Sequence, residues 1–184
     1  MAKSYIYRNS ILSAPLGGDA VVSVYESIVK EYLELCGNCL VRLDMKFKKD
    51  KGWSDIDILA ICFDDEHKKP IVGEVKAFEL GISEVKDIND NHFNHPSFKE
   101  KLESVGIHDY QKYIFCWDVD DDVREYARKN DIKIKCYREI VAELYTKEIK
   151  PMREKGHWFY HEQYPFTTLL QLIFENINYI NKQL

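Results

Sequence analysis

The sequence predicts one α/β domain, a central mixed sheet flanked by helices, with a helical extension at the C-terminal end. Three observations lead there. Three strand-like stretches, Cys39 to Phe47, Asp55 to Phe63 and Pro70 to Phe78, follow one another with only polar turns between them. A stretch of helical period precedes them. Beyond them, strand and helix patterns alternate at short spacings, which signals a right-handed crossover and a partly parallel sheet.

Residues 1 to 17 read as irregular and close with Pro15-Leu16-Gly17-Gly18, a punctuation before a helix, with Asp19 as its N-cap. From Ala20 to Cys36 the apolar residues Val21, Val24, Tyr25, Ile28, Val29, Tyr32, Leu33 and Leu35 recur at helical spacing. Gly37 stops this helix as a C′ glycine. Glu26 falls at the border of the apolar stripe, whereas Glu31 and Glu34 read as solvent-face residues. In the first strand Leu40, Arg42, Asp44 and Lys46 alternate against Val41, Leu43, Met45 and Phe47. Lys46, Lys48, Lys49 and Lys51 then form a basic hairpin tip ending in Gly52-Trp53. In the second strand Ile56, Ile58, Ala60 and Cys62 take one face and Asp55, Asp57, Leu59 and Ile61 the other. The third opens on Pro70, which a strand tolerates at its first residue.

Glu79 to Gly106 is less regular: a short helix around Ser83 to Asn89, a loop over Asn91 to Pro96, and a helix from Ser97 to Ser104. Gln111 to Asp118 is a strand whose near-continuous apolar run suits burial on both faces. Asp120 or Asp121 caps a helix through Val123, Tyr126 and Ala127. Ile132 to Tyr137 is another strand and Glu139 to Lys147 another helix. Past Pro151, a loop crowded with Trp158, Phe159, Tyr160, Tyr164 and Phe166 leads to an amphipathic helix from Thr167 to Ile180. Residues 1–150 thus make the domain, and 151–184 an aromatic-rich extension packed on it or on a second subunit, which suggests a homodimer.

Composition narrows the class. At 184 residues the chain can bury a full core, and 45 % hydrophobic with 31 % charged residues describes a globular protein. No apolar run is long enough for a transmembrane helix, and the N-terminus lacks the apolar core of a signal peptide. Five cysteines without a regular framework suggest reduced thiols in a cytoplasmic protein. A net charge of −5 leaves nucleic acid open, so the local lysine cluster matters more than the total.

The chemistry gathers between Ser54 and Lys76. Asp57 lies among apolar neighbours on the second strand, and Glu74 and Lys76 sit two apart, hence on one face, on the third. Carboxylates and a lysine at inward-looking positions carry a desolvation penalty, which points to a functional use. Two carboxylates and a lysine on adjacent strands can hold a divalent cation and orient a water.

Glu26 on a first helix, Asp57 in Asp55-Ile56-Asp57-Ile58, and then Gly73-Glu74-Val75-Lys76 resemble the restriction-endonuclease-like PD-(D/E)XK nuclease superfamily, and most of all its Holliday-junction-resolvase and Mrr-type branches. The resemblance covers roughly residues 18 to 147, including Val123 to Ile134 as the closing helix and strand. It implies an αβββαβ core and an endonuclease that hydrolyses phosphodiester bonds in DNA, RNA not being excluded. Asp57, Glu74 and the Val75 backbone carbonyl would hold Mg²⁺, with Mn²⁺ as its substitute. Lys76 would position or deprotonate the attacking water, and Glu26 would bind through water or help a second metal. The sequence departs from the family in having no proline before the first acid, and Asp55 is an alternate ligand. Lys46, Lys48, Lys49, Lys51 and Trp53, leading directly into this stretch, would contact the nucleic-acid backbone.

Two other readings compete. Asp55 and Asp57 match the metal pair of polymerase-β-like nucleotidyltransferases, although the Gly-Ser turn those enzymes need upstream is missing from Leu43 to Asp50. A catalytically silent nucleic-acid-binding module of the same fold is the other. Cys36-Gly37-Asn38-Cys39 is a single CxxC without a partner pair. His92 with His95, and His157 with His161, have ligand-like spacing but read as surface loop residues.

Overall fold

The computed structural model describes residues 23–49, 52–63, 69–158 and 162–183, the last six by backbone alone. Its centre is a five-stranded sheet in the order β1 (Cys39–Lys49), β2 (Gly52–Cys62), β3 (Ile71–Val75), β4 (Gln111–Cys116), β5 (Ile132–Cys136). β2 is antiparallel to both its neighbours, β1 and β3, whereas β3, β4 and β5 run parallel. The predicted α/β class with a mixed sheet and flanking helices is what the chain adopts. β3 is shorter than the stretch Pro70 to Phe78 read from the sequence. Beyond Val75 the chain leaves β2 and follows the end of β4, with Lys76 N–H donating to Phe115 O at 2.8 Å.

Helices cover both faces. One core packs α2 (Ile82–Ile88), α3 (Pro96–Ser104) and α4 (Asp121–Lys129) on the sheet through Val85, Phe93, Phe98, Leu102, Val123 and Ala127. The other packs α1 (Val24–Cys36), α5 (Tyr137–Glu143) and α7 (Pro165–Gln183) through Val29, Leu33, Ile140, Leu144 and Leu170. The cap at Asp19 and the turn before it lie outside the described residues. Among those described, Ser23 caps α1 in a box with Glu26, the Ser23 Oγ accepting from Glu26 N–H at 3.1 Å. At the other end Gly37 is not left-handed; Asn38 takes that role at φ 47°, and Gly37 is needed because a Cβ would stand 2.9 Å from Cys39 Sγ.

Three sequence expectations change. The segment Asn89–Phe93, expected to run into a loop, continues α2 as a π-helical turn. The helix expected to end at Lys147 runs on through a π-helical turn, Leu144–Ile149, into α6 (Lys150–Glu154). The wider turn spares the helix the hydrogen bond that Pro151 cannot donate. The strict alternation expected along β2 breaks: Ile56 packs with Met45 and Phe47 in the first core, whereas Ile58 and Ala60 join the second. β1 slips at the same level, Leu43 and Met45 falling on opposite faces around Asp44, which stands at φ 52°. A left-handed residue turns the strand over, and aspartate is among the few that tolerate it. Because both strands slip together, the register is unbroken, with Leu43 opposite Ile58 and Met45 opposite Ile56. Asp57 sits at the slip.

A cysteine pair and a glutamate also differ from expectation. The cysteines are not all thiols: Cys39 and Cys62, register partners at the open end of the β1–β2 pair, are disulfide-bonded, and Cys36, Cys116 and Cys136 are free. Only strand pairing brings residues so far apart in sequence together. Glu31 is not on the solvent face but buried, accepting Phe166 N–H at 2.9 Å and the Thr167 N–H and hydroxyl at 2.8 Å. These amides are first-turn donors of α7, which has no intrahelical partners for them. The tail is therefore tied to α1 by a buried carboxylate acting as a remote cap. Replacing Glu31 by Ala should cost roughly 2–4 kcal/mol, since charge-assisted hydrogen bonds and a cap are lost together. Urea unfolding would register this, and limited proteolysis should show cleavage before Pro165 appearing in the variant; an unchanged digestion pattern would mean that α7 is held by its apolar face alone.

Candidate active site

The backbone pairing of β2 with β3 runs from Ala60↔Ile71 to Ile58↔Gly73 and goes no further. At the next level stand Asp57 and Glu74. Here the ladder is replaced by a side chain, Asp57 Oδ2 accepting Val75 N–H at 2.7 Å. Beyond that point the two strands part like a fork, with the carboxylates at its base. Gly73 lies just before, because the Phe115 ring of β4 crosses it so closely that a Cβ would stand 2.7 Å from the ring edge.

Lys76 bridges the acids. Its Nζ is 3.0 Å from Glu74 Oε2 and 3.9 Å from Asp57 Oδ2. Glu74 is almost completely buried, with 1 % of its surface exposed. Its second oxygen, Oε1, lies 3.0 Å from His92 Nδ1 on the π-helical turn, yet the pair is not aligned as a hydrogen bond, and both atoms are buried without a directed partner. Tyr137, at the start of α5, donates its hydroxyl to the Lys76 carbonyl at 3.1 Å and fixes the backbone there. Sequence reading missed Tyr137 altogether and placed His92 with His95. In the structure those two part: His95 Nδ1 caps α3 by accepting Ser97 N–H at 3.2 Å. Only the helical continuation through Asn89–Phe93, invisible to a loop reading, brings His92 to Glu74.

The electrostatics follow from this crowding. Burial, with Glu74 and then Glu26 nearby, pushes the Asp57 carboxyl up to about 7, against the pull of Val75 N–H and Lys76. For Glu74 burial also acts upward, but His92 and Lys76 outweigh it and hold the carboxyl below its ordinary value. Burial acts to lower the Lys76 ammonium, and the two carboxylates more than offset it, leaving it raised. One ammonium is thus shared by two buried acids, one of which is only half willing to ionise at neutral pH.

The remaining sequence candidates fall around this centre. Glu26 is engaged in the Ser23 capping box, its Oε2 accepting Ser23 N–H at 3.2 Å, while its charge still acts on Asp57. Asp55, opposite Lys46, lines a surface groove with Lys46, Trp53 and Ser54. Lys48 is exposed, and Lys49 donates to Asn91 O at 2.7 Å, tying the hairpin to the turn that carries His92. Lys51 and His161 lie outside the described residues. The CxxC is split between the free Cys36 and the disulfide-bonded Cys39.

Among the described residues no group of three or more His, Cys, Asp and Glu side chains is placed to hold a metal ion. What Asp57 and Glu74 offer is an open pair of oxygen donors, with Glu74 Oε1 facing His92 Nδ1 at 3.0 Å out of line for a hydrogen bond. That donor set fits Mg²⁺, which binds through one or two carboxylates and keeps waters, and does not fit zinc.

No family model matches the chain. A protein of Caldivirga maquilingensis without a functional name is 27 % identical over 113 residues, 53 % of this chain and 52 % of that one. The chain thus spans about half the length of that curated relative. A crystal structure of a protein of unknown function, AF1548, superposes with a TM-score of 0.44 at 12 % identity, covering 83 % of this chain and 95 % of the other.

The raised Asp57 carboxyl has a measurable consequence. The unfolded chain releases this proton near the ordinary value of 3.8, the folded chain only near about 7. Between those values the folded state holds more protons, so stability falls as pH rises, and the cost, at most about 4 kcal/mol, is complete above the upper value. Asp57→Asn keeps an oxygen for Val75 N–H and removes the charge. In chelator it should melt above the parent at alkaline pH, with the gap closing towards pH of about 4. Thermal unfolding across that range checks this; a gap that stays constant with pH would assign the effect to packing.

Proposed function

We propose that this chain is a Mg²⁺-dependent nuclease of the PD-(D/E)XK type that hydrolyses phosphodiester bonds, acting as an endonuclease on DNA. The observation that carries the reading is the meeting of Asp57, Glu74 and Lys76 at the base of the fork, with Lys76 Nζ 3.0 and 3.9 Å from the two acids. The spacing Glu74-x-Lys76 on one strand and an aspartate on the strand beside it, with Glu26 on the preceding helix, is the order that the family resemblance requires.

Bound Mg²⁺ would lower the pKa of a water towards neutrality and offset charge building on the phosphate. Asp57 and Glu74 would hold it, with the Val75 carbonyl as a third donor. The chain's own part is to keep those donors preorganised. The Val75 amide fixes one oxygen of Asp57, and burial leaves Glu74 little freedom to rotate. Lys76 is held between the acids at 3.0 and 3.9 Å, and a cation on them would leave its ammonium free for substrate. Its ammonium can then orient the attacking water or lie against a phosphate oxygen. Tyr137 keeps the Lys76 backbone in place during that change. Lys46, Lys48 and Lys49 on one side of the fork can meet the phosphate backbone.

A homodimer is supported by the outward face of α7, where Leu169, Leu172 and Ile173 are exposed while Leu170 and Thr167 pack inward. No helix among the described residues is long and apolar enough to cross a membrane. A cytoplasmic location fits the three free thiols, with the disulfide as the feature against it.

The purified chain should nick or cut DNA with Mg²⁺ or Mn²⁺. Asp57→Ala and Lys76→Ala should each lose at least about a hundredfold in rate, the usual scale for removing a positioned acid–base or charge-stabilising group. Cleavage undiminished in both variants would sink the mechanism. Incorporation of a labelled nucleotide would favour a transferase built on Asp55 and Asp57, and salt-sensitive binding without cleavage in any metal a silent module.

A further inference from the structure

The two prongs of the fork differ in chemistry. The β1–β2 prong carries Lys46, Lys48 and Lys49. The other prong, the chain past Lys76, carries aromatic rings. Phe78 is 55 % exposed, and Trp117, at the end of β4, is 59 % exposed. Their backbones are joined, Trp117 N–H donating to Phe78 O at 3.3 Å, and the Leu80↔Val119 bridge follows directly. Trp117 stands edge-on to Tyr137, with centroids 6.3 Å apart and planes at 67°, and Tyr137 holds the Lys76 carbonyl. The Trp117 ring is thus linked to the Lys76 backbone through Tyr137, and Phe78, two residues past Lys76, is joined to Trp117 through its carbonyl. Lys76 and Phe78 line one surface groove together with Leu80, Ser83, Glu84 and Asp87.

The core does not account for these rings. Tyr137, against which Trp117 stands, is already buried, so Phe78 and Trp117 leave apolar surface in water. The charges beside them do not suit a duplex. Glu79, Glu84 and Asp87 are exposed there, and the Arg138 guanidinium is engaged with Asp118 at 3.0 Å. A duplex is gripped through its phosphates and presents no free base face. An aromatic ring adds binding energy only to a base that is unpaired, and it does so whatever the base.

Building on the nuclease reading, we infer that Phe78 and Trp117 form a stacking platform for unpaired bases, and that the site takes single-stranded DNA. The strand runs through the fork with its phosphates towards the lysines and the acids at the base, and its bases against the rings. Base–aromatic stacking contributes about 1–3 kcal/mol per base, or roughly 5- to 150-fold in affinity per ring.

The test is fluorescence anisotropy with a labelled oligonucleotide of about twenty nucleotides, long enough to cross a site of the size usual for such grooves, and with the same oligonucleotide annealed to its complement. Full-length chain is used in Ca²⁺ to hold off cleavage. The single strand should bind at least about tenfold more tightly than the duplex. Phe78→Ala with Trp117→Ala should remove that preference while leaving duplex binding as it was, and Trp117→Phe, which keeps a ring, should retain most of it. Equal or tighter binding of the duplex, no binding of the single strand, or single-strand binding unchanged in the double variant would each overturn the platform. If the double variant does not fold, the single replacement Phe78→Ala and quenching of Trp117 fluorescence by the unlabelled strand, judged against Trp117→Phe, decide the matter. Failure of the underlying reading looks different. Ring-dependent single-strand binding with no cleavage in Mg²⁺ or Mn²⁺ would keep the platform and dismiss the nuclease. Lys76-dependent cleavage of duplex, indifferent to the rings, would do the reverse.

Discussion

The hydrogen bond from Val75 N–H to Asp57 Oδ2 is the contact on which the arrangement turns. An antiparallel pair that continued normally past Ile58↔Gly73 would bury both strands' amides in a ladder and leave no opening. Substituting a carboxylate for the next backbone acceptor satisfies the amide and lets the strands diverge. Only a short side chain could do this at a position where the strand is also changing faces. The left-handed Asp44 opposite is the other half of the same irregularity, since a slip in β2 alone would have cost the register with β1. The fork is thus an outcome of paired local distortions that leave the rest of the five-stranded sheet intact.

Having opened the sheet, the chain places charge where water is scarce. Glu74 is among the most buried polar residues described, and it is stable there because Lys76 stands against one oxygen and His92 near the other. An ion pair so buried is a weak contributor to stability, because desolvation consumes most of the Coulomb gain. Asp57, short of positive charge, shows the shortfall as a raised carboxyl. Two buried acids sharing one lysine, with the charge of Glu26 acting on Asp57 as well and no aligned hydrogen bond at Glu74 Oε1, is an arrangement that stability does not explain. A cation with more charge than an ammonium would complete it, and this is the physical sense in which the site argues for function.

Much of this was legible in the residues. Periodicity placed all five strands and most helices, and the spacing of Glu74 and Lys76 with Asp57 picked out the acids that converge. The features that escaped have two causes, contact between residues remote in sequence and shifts of phase within a single element. Glu31 meets Thr167 across a separation of 136 residues, and nothing in a helical wheel distinguishes it from Glu34. The bond between Cys39 and Cys62 depends on strand register. The slip at Asp57 defeats any reading that carries one alternation through a whole strand. The π-helical turns keep helical composition while shifting phase, so a period of 3.6 loses them, and His92 with them.

Helix α1 shows how little residue type alone decides. It carries three glutamates on one short helix. Glu34 pairs with Lys30 at 3.5 Å, a half-buried i, i+4 contact of small worth. Glu26 closes the helix's own first turn and lends its charge to Asp57. Glu31, five residues on and so roughly 140° around the axis, anchors α7. The helix that faces the acids is therefore the helix that holds the tail. Glu26 keeps its place only while α1 keeps its packing, and α7 contributes part of that packing through Leu170, buried with Val29 and Leu33 of α1. The tail thus belongs to the structural support of the site as well as to the surface of the molecule, although its residues stand far in sequence from Asp57, Glu74 and Lys76.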